Sequence, residues 1–510
     1  MISKLLSCGL IGIEGHIIQV EIDISGGIPS FEIVGLADAA VKESKERVRA
    51  AIKNSGFIFP SKKIIVNLAP ADIRKEGSCF DLPIALGILI STGQVNSPEP
   101  GNYLFTGELS LDGQVRQVKG ILPMAVTALK NGIKNLVVPT VNADEAAVVN
   151  GLNVLPVNSL LEIASHLNME YTIQPHIVDI ESIFNKSVYY ELDFADVKGQ
   201  ANAKRALEVA VSGGHNILMI GSPGCGKTML ARRLPTIMPP LTFEESLEVT
   251  KIYSITGMLP PGTSLVTTRP FRSPHHTISK ISLAGGGKIP KPGEISLSHH
   301  GVLFLDELPE FNSETLEVLR QPLEDGFVTI SRINTSITYP AMTTLVCAAN
   351  PCKCGNYLDS TKECTCTSRE VRQYISRISG PLLDRIDIQI EIPSVKYDEL
   401  DSTKKEEPSH IIRDRVKKAR EIQQERYKGT NIYSNSQLLP SMLNKYCRLD
   451  PKGREILRNA FEKLGMSARA HHKILKIART IADMEGSISI KPKHLAEAIQ
   501  YRSLDRKYWS

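Results

Sequence analysis

The most specific chemistry in the chain lies at Gly221-Ser222-Pro223-Gly224-Cys225-Gly226-Lys227-Thr228. It fits G-x-x-x-x-G-K-[ST], the spacing of a loop that wraps phosphates. Its glycines let successive backbone N–H groups turn inward around an anion. Lys227 is placed to reach the β- and γ-phosphates of ATP, and the Thr228 hydroxyl to ligate Mg²⁺. The flanks agree. Asn216 to Ile220 (NILMI) reads as a short buried strand, and Met229 to Leu234 opens a helix whose N-terminus adds partial positive charge.

Val302 to Glu307 (VLFLDE) is the natural partner: four apolar residues for a buried strand, then two carboxylates at its C-terminal end. Sites of α/β sheets collect there. Asp306 would hold the Mg²⁺ through water, and Glu307 would act as general base on the attacking water. Thr344 to Asn350 (TLVCAAN) is a third apolar strand, ending in an amide. Asn350 either orients the lytic water or touches the γ-phosphate; capping the turn before Pro351 is the alternative.

Cys352, Cys354, Cys364 and Cys366 form C-x-C-x₉-C-x-C. Four thiols so close suggest tetrahedral Zn²⁺, with Gly355, Asp359 and Ser360 supplying the turn. Reduced thiols or a redox-sensitive pair are the other readings. Cys8, Cys79, Cys225, Cys347 and Cys447 are scattered singly, and nine cysteines without a secretion signal argue against a disulfide framework. The pairs His275-His276 and His299-His300 lack an acidic ligand set at recognisable spacing, so they are read as shaping a loop or meeting nucleic acid rather than holding metal.

These motifs need a framework. At 510 residues the chain should divide into several domains, and its net charge of +5 does not by itself imply nucleic-acid binding. Ile17 to Ile24 alternates as a half-buried strand, Ala39 to Asn54 reads as an amphipathic helix, and Lys63 to Leu68 and Leu136 to Pro139 as strands. We expect an α+β domain over 1–170, a linker over 171–190, a parallel-sheet α/β core over 191–395 and an all-α part over 396–510. His410 to Arg426, Ala468 to Met484 and Pro492 to Tyr501 carry the helical pattern of that last part. The longest apolar run, Leu82 to Ile90, falls far short of the roughly 20 residues of a spanning helix. A soluble, cytoplasmic chain without membrane partners is expected.

Three long strings resemble the ComM/YifB family of magnesium-chelatase-like AAA+ ATPases: RPFRSPHHTISKISLAGGGKIPKPGEISLSHHGVLFLDELPEF (Arg269 to Phe311), GPLLDRIDIQIEIP (Gly380 to Pro393) and SARAHHKILKIARTIADM (Ser467 to Met484). The resemblance covers nearly the whole chain. It implies an AAA+ P-loop core with a C-terminal helical lid, and ATP sites shared between subunits of a ring, usually a hexamer. Arg385 matches the arginine finger offered to a neighbour's γ-phosphate, and Arg469 the sensor-2 arginine of the lid; each reads alternatively as a surface residue. The stretch around Gly285 to Lys288 matches the helix-2 insert, and Gly326 to Thr338 the pre-sensor-1 hairpin. In related ring motors such loops grip a nucleic-acid backbone, which makes Lys288 and Arg332 candidate phosphate contacts. The function implied is a DNA motor on single-stranded or branched DNA, a helicase or branch-migration factor in recombination during natural transformation. A metal-chelatase motor subunit and an ATP-dependent remodelling chaperone are the alternatives.

PADIRKEGSCFDLPIALGIL and TGELSLDGQVRQVKGILPMA resemble the proteolytic domain of Lon proteases. The chain departs from that family at the chemistry. Cys79 stands at the nucleophilic serine and Leu122 at the catalytic lysine, and Ser78 is one residue off. A Ser/Lys mechanism needs an amine beside the hydroxyl. We therefore expect a non-proteolytic α+β domain.

Overall fold

The computed structural model describes residues 2–99, 101–185, 190–332, 335–357, 362–395, 399, 401, 406–464, 466–502 and 504. The chain forms two compact units, Met1–Ser187 with Phe243–Thr267, and Val188–Thr242 with Thr268–Ser510.

The first unit is built on a seven-stranded mixed sheet. Its strands run in the order Ser30–Val34, Lys63–Ala69, Glu14–Ser25, Ile2–Ile11, Tyr103–Phe105, Asn135–Pro139 and Asn153–Val157. The alternating run predicted around Ile17 to Ile24 sits within Glu14–Ser25, with Ile18, Val20 and Ile22 fully buried. The helix predicted from amphipathic spacing is Ala39–Asn54. Asp38 caps it by accepting the Val41 N–H at 2.8 Å, and Val41, Val48, Ala51 and Ile52 face the core. The longest apolar run is the core helix Asp81–Ser91, buried from Asp81 through Ile90. Among the described residues no helix is long and apolar enough to cross a membrane.

One segment departs from the division read in the sequence. Residues Phe243–Thr267 lie between the P-loop helix and the next strand of the ATPase unit, yet they belong to the first unit. The reason is a buried carboxylate. Glu145 accepts the Leu122 N–H at 2.8 Å and also the Ser254 hydroxyl, from the helix Phe243–Thr256. The Ser254 carbonyl accepts the Gly120 N–H at 3.2 Å. Leu265 is buried in the same core, and Phe243 and Leu247 pack against it. Burial raises the Glu145 pKa; the Ser254 hydroxyl and the Leu122 N–H act against that rise.

The second unit carries a five-stranded parallel sheet in the order Phe271–Arg272, Val302–Leu305, Thr344–Ala349, Ile217–Ile220 and Ile388–Glu391. The P-loop strand is thus flanked by the strand leading to Asn350 and by the last strand, while the Asp306 strand stands one place further out. The helices Ser409–Arg426, Ala468–Met484 and Pro492–Gln500 follow the predicted spans within a residue.

The sequence separated residues 396–510 as their own domain, but the described helices share one core with the sheet. Ile412, Val416, Ile474, Ile477 and Ile481 are buried in the same cluster as Leu207, Leu234 and Ile388. A buried polar relay joins them too. The His215 ring contacts Asp387 at 3.2 Å through Nδ1 and Thr480 at 2.8 Å through Nε2, and Lys473 reaches Asp387 at 3.2 Å. Burial alone would raise the Asp387 pKa, but the Lys473 and His215 charges hold it well below the usual carboxylate range. Burial pushes the His215 pKa down.

Candidate active site

The parallel register brings three strand ends to one edge of the sheet. Ile220 pairs with Ala349, and Leu305 with Cys347, so Gly221, Asp306 and Asn350 emerge side by side. Gly224 and Gly226 adopt φ of +82° and +98°, a region L side chains rarely enter, and Gly226 caps the helix Lys227–Ile237.

Lys227 is buried. Its ammonium donates to the Gly221 carbonyl at 2.6 Å, the Ser222 carbonyl at 3.0 Å and the Asn350 Oδ1 at 3.1 Å. The Asn350 amide therefore joins the P-loop lysine rather than merely capping the turn before Pro351. The Thr228 hydroxyl donates to Asp306 Oδ2 at 2.6 Å. A hydroxyl and a carboxylate meeting at a helix N-terminus form the oxygen-rich, partly exposed corner that suits Mg²⁺ bound to a triphosphate. Glu307 follows in a left-handed conformation, φ +52°, its N–H donating to Asp306 Oδ1 at 3.0 Å. Its carboxylate lies 3.5 Å from His276 Nδ1, a pairing that nothing in the spacing of the two segments announces.

The two arginines stand elsewhere. The Asn216 amide donates to the Arg385 carbonyl at 3.0 Å, and Asn216 precedes the P-loop strand. Arg385 is thus at the N-terminal edge of the sheet, a strand length of roughly 13 Å from the phosphate loop. Its guanidinium donates to the Pro381 carbonyl at 2.6 Å and pairs with Glu324. Arg469 is largely exposed and donates to Asp384 at 2.6 Å, one residue from Arg385. Arg469 thus pairs with the residue next to Arg385, and among the described residues the contacts of both arginines are with groups outside the P-loop.

The four cluster thiols lie within 4.8 Å of one another. The sulfurs of Cys352 and Cys354 are 3.3 Å apart, of Cys352 and Cys364 3.7 Å, and of Cys354 and Cys364 3.6 Å. A disulfide requires about 2.05 Å. The sulfur–sulfur edge of a tetrahedral Zn(Cys)₄ centre, with Zn–S near 2.3 Å, is roughly 3.8 Å. The Asn356 N–H pulls the Cys354 thiol down to about 5, favouring the thiolate form that binds metal. Asp359 and Ser360, the expected turn residues, lie outside the described residues. Gly355, from the same loop, touches the P-loop, which the sequence did not indicate: a Cβ at Gly355 would fall 2.5 Å from Pro223 Cδ.

Lys288 is exposed in the turn joining Gly285–Gly286 to Lys291–Pro292. Arg332 ends the strand Phe327–Arg332, which pairs with Thr335–Pro340 as the hairpin the resemblance implied; its side chain lies outside the described residues. The two hairpins are joined, because the Tyr339 hydroxyl donates to the Pro290 carbonyl at 2.8 Å. The His299 ring accepts the Met342 N–H at 3.0 Å, so this histidine shapes the base of the second hairpin.

In the first unit the Cys79 thiol is buried, faces the carbonyls of Cys8 and Glu76, and is pushed far up in pKa by burial. Leu122 is fully buried. The Lys75 ammonium is spent on the Pro70 carbonyl, and Ser78 donates to Glu108. None of these contacts pairs a nucleophile with an amine base.

A phosphate loop, an acidic strand end one strand removed and a polar sensor on the strand between them define an AAA+ P-loop ATPase. Models of three regions of the magnesium chelatase subunit ChlI match the chain: subunit ChlI of Mg-chelatase at 20–142, magnesium chelatase, subunit ChlI at 193–400, and its C-terminal region at 406–502. The chain is 43% identical to competence protein ComM of Haemophilus influenzae over 97% of its length and 96% of that protein's. It is 42% identical to YifB of Escherichia coli, again over 97% of this chain and 96% of the other. A Lon protease of Rhizobium meliloti is 24% identical over 30% of this chain and 20% of its own. The chain belongs to the ComM/YifB family of magnesium-chelatase-like AAA+ ATPases.

Proposed function

We propose that the chain is a cytoplasmic, ring-forming motor that hydrolyses Mg-ATP to move single-stranded or branched DNA, as a helicase or branch-migration factor in recombination. The observation that carries the ATP part is the convergence of Lys227, Asn350, Thr228 and Asp306 on one corner. In this reading the loop from Gly221 to Gly226, with Ser222, Pro223, Gly224 and Cys225 between, wraps the phosphates. Thr228 and Asp306 hold Mg²⁺, which supplies charge neutralisation when bound. Glu307 accepts a proton from the attacking water, and Asn350 orients Lys227 toward the γ-phosphate.

The placement of the arginines supports assembly, since Arg385 lies a strand length from its own P-loop and Arg469 pairs with the neighbouring Asp384. A neighbouring subunit can present them to the next γ-phosphate, closing a homo-oligomeric ring, a hexamer in the family's manner. The DNA part rests on the name of the competence protein ComM and on the paired hairpins carrying Lys288 and Arg332. The Lon-like unit is non-proteolytic in this account. The four cysteines bind Zn²⁺ structurally, a reading supported by sulfur separations near tetrahedral edges.

The test is ATPase activity with and without forked, single-stranded and four-way-junction DNA, using Lys227→Ala as the blank. Stimulation by at least one DNA form, with binding that weakens steeply as salt rises, is expected. Indifference to every DNA form, together with no binding at low salt, would end the DNA reading. A chelatase motor is the second reading, favoured by the ChlI family models. Stimulation by porphyrin with a partner subunit would support it instead. ATP-dependent casein degradation would mark a protease or remodelling chaperone.

A further inference from the structure

The last helices of the second unit leave a groove uncovered. Pro451–Leu464 packs on Pro492–Gln500, and Pro440–Tyr446 on Ala468–Met484. Pro451–Leu464 and Ala468–Met484 therefore face each other across a cavity of about 780 Å³. Each wall is one helical stripe. Arg454, Leu457, Arg458 and Phe461 follow one another at i, i+3, i+4 and i+7, and Ala468, His471, His472 and Leu475 do the same on the facing helix. Leu443 and Leu449 close the floor.

The groove is apolar inside and cationic at its rim. Leu443, Leu457 and Leu475 are buried, while Phe461 keeps 38% of its surface exposed, with the His471 ring at 6.4 Å as its edge-on neighbour. Arg448, Arg454 and Arg458 are all exposed on the rim, and no carboxylate lines the groove among the described residues. Their side chains are weakly engaged. Arg448 donates to the Asn444 carbonyl at 3.2 Å, and Arg458 pairs with Glu462 at 3.0 Å in an open ion pair of the kind that contributes little. Among the described residues the Arg454 guanidinium has no hydrogen-bond or ion-pair partner. Burial, with the neighbouring His472, pushes the His471 pKa down, so near neutral pH the charge comes from the arginines.

Two facing stripes with helical spacing fit a helix laid between them, its apolar residues on the leucines and Phe461 and its acids on the arginines. A nucleic-acid strand fits less well, because the floor is aliphatic and offers no row of aromatic rings for bases. A second copy of this chain lacks the matching face. Among the described residues, no helix carries two exposed large hydrophobic side chains three or four positions apart. We propose that this groove docks an acidic amphipathic helix of a partner protein. The docking surface is separate from the ATP corner and from the hairpins, so it tethers the motor to another protein without occupying either.

The experiment measures fluorescence anisotropy of a labelled, end-capped peptide of about 16 residues, with leucines at i, i+3, i+4 and i+7 and glutamates beside them, titrated with the full chain. Two altered peptides, with leucines changed to glutamine or glutamates changed to lysine, and two variants, Phe461→Glu and Arg454→Glu, complete the set. Saturable binding with Kd below roughly 100 µM is expected. It should weaken about tenfold or more when the leucines are lost or in Phe461→Glu, and about threefold to fivefold in Arg454→Glu, the scale of one charge contact at an open rim. The lysine peptide should bind Arg454→Glu more tightly than it binds the parent, a gain that a damaged fold does not produce. No saturable binding below roughly 1 mM, equal binding of the glutamine peptide, or parent-like binding by both variants overturns the proposal. Displacement of the peptide by a single-stranded oligonucleotide whose own affinity falls in both variants makes the groove a nucleic-acid surface and overturns it too. Self-association of the parent that Phe461→Glu abolishes and the peptide competes away assigns the groove to a second copy, with the same consequence.

Discussion

Gly355 of the cysteine loop lies against Pro223 of the phosphate loop so closely that a single added carbon would fall 2.5 Å from Pro223 Cδ and 2.6 Å from Cγ. The loop that carries the cysteine cluster is thereby packed against the phosphate loop. Asn350, whose Oδ1 accepts from Lys227, stands two residues before Cys352 on the same connection. The order of this loop and the shape of the P-loop are linked through one van der Waals contact and one short stretch of backbone.

The first prediction tests that contact. Gly355→Ala adds the clash and also a left-handed strain of about 1 kcal/mol, since Gly355 has φ +83°. ATP affinity should fall by roughly fivefold to tenfold. Pro223→Ala removes the ring carbons, so the double variant should recover most of the loss, a non-additivity expected of touching residues. Equal losses in Gly355→Ala and the double variant would show that the contact does not matter.

The metal follows from the same loop. Purified protein should carry about one zinc per chain by elemental analysis, and Co²⁺ in its place should give the absorption of a tetrahedral thiolate site. Replacing all four cysteines with serine should abolish the metal and raise the ATP KM more than it lowers ATP-saturated kcat. Metal-free protein with intact thiols and parent-like ATP binding would contradict the structural role.

The arginine pair predicts complementation. Arg385→Ala should lower kcat by about 10³-fold, the lower end of what an arginine finger contributes. Lys227→Ala should be inactive. Mixed in equal amounts and reassembled, the two should regain activity, because about one interface in four then pairs an intact P-loop with an intact Arg385 in a cyclic ring. A mixture as inactive as its components would place Arg385 in its own chain's site and contradict the ring.

The buried relay predicts a pH dependence with a definite sign. His215 has a folded pKa below its unfolded value near 6.5. A depressed folded pKa means that its contribution is fully present above about 6.5 and is lost as pH falls from there toward the folded value, because only the unfolded chain takes up the proton. The slope is at most about 1.4 kcal/mol per pH unit. Asp387, depressed as well, keeps its contribution until pH drops below about 4. Thermal unfolding of the ATPase unit between pH 7.5 and 5 should show a steeper loss in the parent than in His215→Gln. Parallel curves would remove His215 from the account.

Much of this was legible in the residues. Strand and helix spans followed from period-two and period-3.6 burial, as at Glu14–Ser25 and Ala468–Met484, because those patterns are set by which face meets the core. The P-loop and the acidic strand end were legible because their chemistry demands fixed spacing within a short string. What was not legible depended on contacts between distant strings. Nothing local in Phe243–Thr256 says where that helix docks: its Ser254 hydroxyl meets the buried Glu145, and Phe243 and Leu247 pack on a core built from distant strings. The join of lid and sheet needs His215, Asp387 and Thr480, which are far apart in sequence. The meeting of Gly355 with Pro223, and of His276 with Glu307, likewise has no local signature.

The central claim is that Lys227 and Asp306 serve one nucleotide and its ion. Equilibrium binding of ATP to the parent, Lys227→Ala and Asp306→Asn, each with and without added magnesium, tests it most directly. Lys227→Ala should lose roughly tenfold or more in affinity under both conditions, since a buried charge-assisted contact is gone. Asp306→Asn should match the parent without magnesium and lose only the increment that magnesium adds. Parent-like, magnesium-enhanced ATP binding by both variants would contradict the account.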